Sequence, residues 1–342
     1  MALLAERARR AVAAYRLRLK RRGLLWRAWR GRRQLRVIVD RSAGMAPGAV
    51  LCFATIRNEG QRLPFFLQHH RNLGVGHFLF VDNASDDGSA DWLAGQPDVS
   101  LWTSAASYRD ARFGMDWLNL LLMRHGAGHW CLTLDADEML IYPNWQNRSL
   151  PELTAWLEAR GIGMMAAMLL DLYPKGPLSQ AQYRAGQDPV QVLPYFDGTG
   201  YSREKQERFA NTSIRGGVRK RVFFADRPDH APHLHKTPLI RWNRRFAYVS
   251  STHVALPPPL NQGFETAEAP TGVLLHSKFL QGILGKSQDE KLRREHFTHA
   301  ERYDSYYDTI LTDPDLWHGG SCRYQGWEQL VALGLMAQGE FL

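Results

Sequence analysis

The chain has 342 residues, of which 43 are Lys or Arg and 34 are Asp or Glu, so its formal net charge is +9. The excess lies at one end: residues 1–40 hold 13 basic and two acidic side chains, a net of +11, and the rest of the chain carries a net of −2. This distribution argues against a nucleic-acid-binding protein that is basic throughout, and we expect no specific nucleic-acid partner.

Three further patterns narrow the class of protein. No apolar run approaches the ~18 residues that a transmembrane helix needs. Charged residues begin at Glu6, directly after a very short apolar start, whereas a secretory signal carries its charges ahead of a longer apolar stretch. The cysteines, Cys52, Cys131 and Cys322, lie far apart and predict neither a disulfide framework nor a zinc site. These patterns favour a reducing, cytoplasmic setting.

Residues 1–45 form what we call the basic arm. Ala, Leu and Arg dominate residues 3–30, which predicts a helix, and Val12, Tyr15 and Leu19 recur at helical spacing among arginines. Trp26 and Trp29 follow, again beside arginines. Such a basic amphipathic helix is suited to an anionic membrane surface, which would make the protein peripheral on the inner face of the cell membrane. A solvated polybasic tail and an RNA-binding segment are the alternatives.

Strands and helices alternate in the next part of the chain. Strands are predicted over 49–56, 77–81, 99–102 and 130–134, and helices over 63–73, 90–93 and 113–125. Pro64 stands near the start of the first of these helices, and Gly74 is expected to end it. This alternation predicts an α/β fold whose mainly parallel sheet is covered by helices on both faces. Ligands of such sheets bind at the carboxyl ends of the strands.

Polar clusters stand at three of these predicted strand ends: 57–59, 82–87 and 135–138. The last cluster, Asp135-Ala136-Asp137-Glu138, is the most informative. If the chain is still extended there, Asp135 and Asp137 project to the same face and converge. Two converging carboxylates repel each other unless a cation lies between them, and hard oxygen ligands favour Mg²⁺ or Mn²⁺. The alternative is a solvated turn or a helix N-terminus, because Asp-x-Asp is a common pattern.

Taken together, the motifs resemble those of a known family. Arg57-Asn58-Glu59-Gly60, then Asp82-Asn83-Ala84-Ser85-Asp86-Asp87-Gly88, then Leu134-Asp135-Ala136-Asp137-Glu138 are similar to the glycosyltransferase family 2 group of GT-A glycosyltransferases, in its bacterial branch with D-N-x-S-x-D and D-x-D-E motifs. The match covers about residues 49–140. It implies a Rossmann-like GT-A domain over 46–284, with a nucleotide-sugar half over 46–140 and an acceptor half over 141–284. Residues 285–342 are expected to form a helical C-terminal extension.

The resemblance also implies roles for individual residues. The donor, a nucleoside-diphosphate sugar, is expected to contact Thr55, Arg57, Asn58, Glu59, Asp82, Asp135, Arg219 and Lys236. The expected ligands of a Mn²⁺ or Mg²⁺ ion are Asp135, Asp137 and His276, with His253 as the alternative histidine. Arg219 lies in the basic segment after Gly216-Gly217, which is equally well interpreted as an exposed loop.

The expected reaction moves a sugar to a glycan or lipid-linked acceptor, and the resemblance favours inversion and a role in cell-envelope polysaccharide or lipopolysaccharide synthesis. Such a reaction needs a base that deprotonates the acceptor hydroxyl, and the candidates are Asp171, Glu138 and Asp197. Each of them is also interpretable as a hydrogen-bond acceptor or turn residue.

Other functions remain as alternatives. The chain can be a catalytically inactive GT-A-like protein that binds a membrane or RNA. A nucleotidyltransferase is disfavoured, because the loop after the first strand has a single glycine, Gly60. The sequence contains no Gly-x-Ser-x-Gly elbow, P-loop or dinucleotide fingerprint.

Overall fold

A computed structural model describes residues 2–293 and 304–341 of the chain. Within these ranges the α-helices are α1 (Ala2–Gly31), α2 (Leu63–Asn72), α3 (Ser89–Ala94), α4 (Met115–Leu121), α5 (Leu150–Ala159), α6 (Pro189–Val192), α7 (Ile283–Arg293), α8 (Asp304–Leu311) and α9 (Trp327–Ala332). The strands are β1 (Arg36–Val39), β2 (Val50–Ile56), β3 (Val75–Asp82), β4 (Val99–Thr103), β5 (Trp130–Thr133), β6 (Glu138–Ile141), β7 (Met164–Asp171), β8 (Tyr195–Asp197), β9 (Ser202–Gln206), β10 (Asn211–Arg215), β11 (His235–Arg241), β12 (Ala247–Ser250), β13 (Val254–Leu256), β14 (Gly272–His276) and β15 (Ser321–Arg323).

A nine-stranded central sheet organises the fold, with the strand order β1-β4-β3-β2-β5-β11-β7-β14-β6. β2 to β5 are parallel to one another, and β7 and β14 run the same way on the far side of the antiparallel β11. β1 and β6, at the two edges, are also antiparallel to their neighbours. The fold is therefore α/β with a mixed, mostly parallel sheet. Between β2 and β5 the strand order changes direction, which is where doubly wound sheets open a crevice.

The central strands are buried on both faces, because alternate residues point to opposite sides of a strand. Cys52 and Ala54 of β2 belong to a hydrophobic cluster that includes side chains of α2 and α5. Leu51 and Phe53 of the same strand belong to a second cluster, on the face covered by α4. Helices thus cover both faces, as the alternation of strands and helices predicted.

The predicted strands and helices over residues 49–134 are confirmed, with ends that differ by a few residues. α2 ends at Asn72, and Gly74 follows it with φ +98°, as expected for a helix stop. α4 is shorter than predicted, because the chain continues from Leu122 to Gly126 as a π-helical turn. Strand β1 was not predicted: it lies inside the basic arm and forms the edge of the sheet beside β4.

The predicted arm helix is confirmed as α1, and its second half packs on the body of the protein. Leu24 and Ala28 are buried, and the Arg27 guanidinium donates to the Asp116 carboxylate of α4 at 3.0 and 3.1 Å. At the other end of the chain, the predicted extension contains helices and also strand β15, which pairs with β8. Residues 294–303 of that prediction lie outside the described residues. In the described part, no helix is long and apolar enough to cross a membrane.

Alanine substitutions at two glycines would test how closely Gly74, which follows α2, approaches α5; Gly128 is the control. A Cβ at Gly74 would lie 2.7 Å from Cδ of Pro151, whereas a Cβ at Gly128, with a similar φ of +91°, would meet nothing within 4 Å. We expect Gly128→Ala to lower the free energy of unfolding by about 1–2 kcal/mol through left-handed strain alone. Gly74→Ala should lower it by about 1–3 kcal/mol more. Chemical denaturation measures both, and equal losses would contradict the close approach to Pro151.

Candidate functional site

A cleft of about 890 Å³ opens where the parallel strands end. Its lining includes the segments that follow β2 and β5, the first residues of β11 and the last residue of β14. Ten of the predicted site residues line it: Thr55, Arg57, Asn58, Glu59, Asp135, Asp137, Glu138, Arg219, Lys236 and His276. The alternative histidine, His253, lines it as well. The topology thus brings together residues that lie as far apart in the chain as Thr55 and His276.

One wall of the cleft is made of the loops after β2 and β3, which are bonded to each other. Asn58 and Asp86 form a reciprocal pair: Asn58 Nδ2 donates to Asp86 Oδ1 at 2.8 Å, and the Asp86 backbone N–H donates to Asn58 Oδ1 at 3.0 Å. The backbone N–H of Gly60 donates to Asp87 Oδ2 at 2.8 Å. Two of the sequence motifs are therefore each other's hydrogen-bond partners, and they fix this wall without a ligand.

Two predicted donor-binding residues lie at the base of this wall. Asp82, at the end of β3, is 2 % exposed and does not line the cleft; Asn83 beside it does. Asp82 Oδ2 accepts from the Ser85 backbone N–H at 3.1 Å. Asp82 Oδ1 and Thr55 Oγ1 are buried and have no hydrogen-bond partner in the described part of the chain. Buried polar atoms without partners are rare, so these two oxygens are open to a ligand or a water molecule.

The segment over Asp135 and Asp137 is not extended, so the geometric premise of the predicted pair is wrong. β5 ends at Thr133, and residues 136 and 137 form a turn in which the Glu138 N–H donates to the Asp135 carbonyl at 3.1 Å. The turn carries the chain from β5, near the centre of the sheet, to β6 at its edge. Both carboxylates still line the cleft, but each faces a different cation.

Asp137 faces His276, which is held from behind by Asp171. His276 Nε2 lies 3.1 Å from Asp137 Oδ2, and His276 Nδ1 lies 2.6 Å from Asp171 Oδ1. The other oxygen of Asp171 accepts from Arg219 Nε at 2.7 Å. Strand register explains the alignment: His276 of β14 is paired with Asp171 of β7 on one side and with Glu138 of β6 on the other. Four side chains from distant segments thus form one row.

The charges in this row shift one another's pKa. Burial alone would raise the pKa of Asp137, but the charge and hydrogen bond of His276 hold it well below its ordinary value. Burial would likewise raise the pKa of Asp171, but Arg219 and His276 lower it to about 2. For His276, burial lowers the pKa, and the two carboxylates outweigh it and raise the pKa. Both carboxylates are therefore ionised at neutral pH, and Asp171 is a weak base.

The residues around Asp137 fit a divalent cation that is shared with a substrate. The described residues contain no group of three or more His, Cys, Asp or Glu side chains that could surround a metal. Asp137 and His276 nevertheless offer two ligands, and the Asp171 contact to Nδ1 orients the imidazole with Nε2 toward Asp137. Mg²⁺ in proteins is commonly held by one or two carboxylates together with substrate phosphates. Asp137 and His276 alone would leave most coordination positions of such an ion to other ligands.

Asp135, also predicted as a metal ligand, faces Lys236 instead. Lys236 Nζ lies 2.9 Å from Asp135 Oδ2 and also donates to Glu138 Oε1. Lys236 and Glu138 are buried, whereas the Asp135 side chain is half exposed in the cleft. Burial raises the pKa of Glu138, and Lys236 opposes that rise. Among the described residues, Asp135 is thus paired with Lys236 and Asp137 with His276, and the two carboxylates do not share one cationic side chain.

Further cations line the cleft beside the predicted site residues. Arg62 pairs with Glu59 at 2.7 Å, and Lys286 of α7 pairs with the same carboxylate. Lys278 also lines the cleft, with Nζ 5.7 Å from the centre of the Tyr306 ring and with no carboxylate within ion-pair distance in the described ranges. Arg62 follows Glu59 by three residues, which is helical spacing and the one sequence signal that would have found it.

The third candidate base, Asp197, lies away from the cleft. Its carboxylate accepts from Arg221 at 3.0 and 3.1 Å, and Tyr173 also donates to it. Asp171 does not line the cleft either, because it stands behind His276. Of the three candidate bases, Glu138 alone is among the residues that line it.

Comparison of the chain with protein-family models finds no matching family, and comparison with curated proteins finds no significant match.

Removal of Lys236 tests the charge balance of the site. Lys236→Met leaves Glu138 buried without its cation, and we expect a loss of about 3 kcal/mol in the free energy of unfolding near pH 8. The loss should be smaller near pH 5. The folded-state pKa of Glu138 is raised, so its contribution to the free energy of unfolding decreases as the pH rises above the pKa of an unfolded glutamate. Without Lys236 the folded-state pKa is higher still. The decrease in stability with pH is therefore larger in the variant than in the wild type.

Lys205→Met is the matched control, because Lys205 is 77 % exposed and its ion pair with Glu265 spans 3.4 Å. We expect it to change stability by less than about 1 kcal/mol at either pH. Urea unfolding at both pH values measures the two variants, and a Lys236→Met loss that does not depend on pH would contradict the assignment.

Proposed function

We propose that the protein is a metal-dependent glycosyltransferase of GT-A type that moves a sugar from a nucleoside-diphosphate sugar to a glycan or lipid-linked acceptor. One observation carries the proposal. At the switch point of a doubly wound sheet, a cleft holds the Asp137–His276 pair beside Lys278, a cation with no carboxylate partner in the described part of the chain. A carboxylate and a histidine that can bind a cation, next to the Lys278 side chain, suit a leaving diphosphate.

The nucleotide is assigned to the wall formed by the loops after β2 and β3. That wall lies at the strand order reversal, where doubly wound sheets bind nucleotides. Its loops are fixed in advance by the Asn58–Asp86 pair, so binding needs little ordering of the chain. The unpartnered hydroxyl of Thr55, a residue that lines the cleft, is suited to form a hydrogen bond with a ribose or a base.

The diphosphate is assigned to the region between Asp137 and Lys278. A Mn²⁺ or Mg²⁺ ion bound to Asp137 and His276 would supply Lewis-acid stabilisation of the leaving phosphate. Asp171 holds the His276 ring in place, and Arg219 in turn holds Asp171. Lys278 adds a cationic side chain to the lining of the cleft, whereas the charge of Arg62 there is balanced by Glu59. The protein's part in the reaction is thus to position and neutralise charge that develops on the leaving group.

Glu138 is the base that the geometry favours among the three candidates. It lines the cleft, and burial raises its pKa toward the range in which a general base works well at neutral pH. Lys236 also donates to Glu138, as other cations do to Asp171 and Asp197, but Asp171 and Asp197 do not line the cleft. A base that takes a proton from an acceptor hydroxyl opposite the leaving diphosphate corresponds to inversion.

The setting is part of the same proposal. We place the enzyme in the cytoplasm, peripheral on the inner face of the cell membrane, in cell-envelope polysaccharide or lipopolysaccharide synthesis. The support for this pathway is the family resemblance of the motifs, together with the basic arm.

Asp137→Asn tests the role of the carboxylate. The amide has the same size but lacks the charge that a divalent cation requires, so we expect the Mn²⁺-dependent release of nucleoside diphosphate from the preferred donor to fall at least about a hundredfold. Asp226→Asn makes the same change at an exposed residue that does not line the cleft, and it should leave the rate unchanged.

Near-normal turnover by folded Asp137→Asn would overturn the metal assignment. Circular dichroism and a thermal unfolding midpoint close to that of the wild type establish that the variant is folded. If the wild type releases no nucleoside diphosphate from any donor, the proposed activity itself fails.

A further inference from the structure

The exposed apolar side chains of the protein are concentrated in one short part of the chain. Among the described residues, the large hydrophobic side chains that are at least 36 % exposed are Val12, Tyr15, Leu19, Trp26, Trp29, Val37, Ile38 and Trp92. All except Trp92 lie between residues 12 and 38, on α1 and on the edge strand β1. Scattered single residues of this kind are normal on a protein surface, but a cluster marks an interaction site.

The exposed residues of α1 form a stripe on one face of the helix. With 3.6 residues per turn, Val12, Tyr15, Leu19, Trp26 and Trp29 fall within an arc of about 100°. The buried residues Leu24 and Ala28 lie on the opposite side of the same helix. The helix thus has two apolar faces, one packed on the body of the protein and one directed outward. We call the outward one the arm stripe.

The packed face keeps the arm stripe exposed. Arg27 bonds both to the Asp116 carboxylate and to the Asp110 carbonyl, and Leu24 packs with Ala247 and Leu256. The stripe therefore cannot turn inward unless these contacts break. Trp26 is 55 % exposed and Trp29 is 49 % exposed. Burial of these apolar rings against a partner would be favourable, because it removes apolar surface from water.

Arginine side chains lie directly over the tryptophan rings of the stripe. The Arg32 guanidinium lies 3.6 Å from the centre of the Trp29 ring, and that of Arg30 lies 4.7 Å from the Trp26 ring. Residues 1–40 as a whole carry a net charge of +11. A partner must therefore offer negative charge and an apolar layer at nearly the same depth, and the headgroup region of an anionic bilayer does so.

We propose that the arm stripe binds the surface of an anionic lipid bilayer. The tryptophan rings insert at the level of the headgroups, and the arginines contact lipid phosphates. A nucleic acid would satisfy the arginines but not Val12 and Leu19, and a second copy of the chain would bring two strongly basic arms together. The inference deepens the membrane setting given under the proposed function by naming the residues that bind lipid, and its test does not depend on whether the cleft transfers a sugar.

Sedimentation with lipid vesicles tests the proposal on the full chain. We expect the protein to bind vesicles of phosphatidylcholine mixed with phosphatidylglycerol, not vesicles of phosphatidylcholine alone, and to bind less as salt is raised. Trp26→Ser with Trp29→Ser should weaken binding about tenfold or more. Trp92→Ser, the matched control, removes an exposed ring outside the arm and should leave binding unchanged.

A second variant separates charge from apolar contact. Arg16→Glu with Arg18→Glu changes two exposed arm residues that have no hydrogen bond or ion pair to the body in the described structure, and it should also weaken binding to the anionic vesicles. Equal binding to both kinds of vesicle, no binding to either, or full binding by the double tryptophan variant would overturn the proposal. The proposal would also be overturned if the two tryptophans were needed for self-association or RNA binding and the protein did not bind vesicles.

Discussion

The contact on which the candidate site depends is the imidazole of His276 held between two carboxylates. Asp171 lies on one ring nitrogen and Asp137 on the other, and the three residues come from different strands or turns. Strand register alone places His276 beside Asp171, so the sheet itself sets the geometry. Both ring nitrogens face carboxylate oxygens, and these two carboxylates raise the pKa of the imidazole although burial opposes them. The Asp171 contact holds the ring with its other nitrogen toward Asp137, so Asp137 and His276 would together be the residues to hold a divalent cation.

Much of the first half of the fold could be predicted from the sequence, because β2 to β5 are buried parallel strands joined by short helices. Their apolar runs and turn residues are local signals, and the ends of these strands carry the motifs. Strand β11 is different, because it lies between β5 and β7 in the sheet but follows β5 by about a hundred residues in the chain. It places Lys236 against Asp135. No local pattern indicates that pairing. For the same reason, sequence could not show that Arg219 already engages Asp171 or that Asp197 lies outside the cleft.

The arm illustrates the same limit in another way. Its helical spacing was readable, but a single apolar stripe was expected, and α1 has two, since Leu24 and Ala28 pack on the body while the tryptophans stay outside. The packed face fixes the helix on α4, and the segment just before α4 contributes Tyr108 and Phe113 to the lining of the cleft. The packed face of α1 and part of the cleft lining are therefore held by neighbouring segments of the chain.

Binding of a donor that depends on a metal is the most direct test of the central claim. Thermal unfolding of the wild-type chain with UDP-, GDP-, dTDP- and CMP-sugars, each with and without Mn²⁺, measures it, because a ligand of the native state at a hundred times its dissociation constant adds about 2.7 kcal/mol of stability. The account predicts that at least one nucleoside-diphosphate sugar raises the unfolding midpoint only when Mn²⁺ is present. An unchanged midpoint with every donor, or a rise that is the same without the metal, would contradict it.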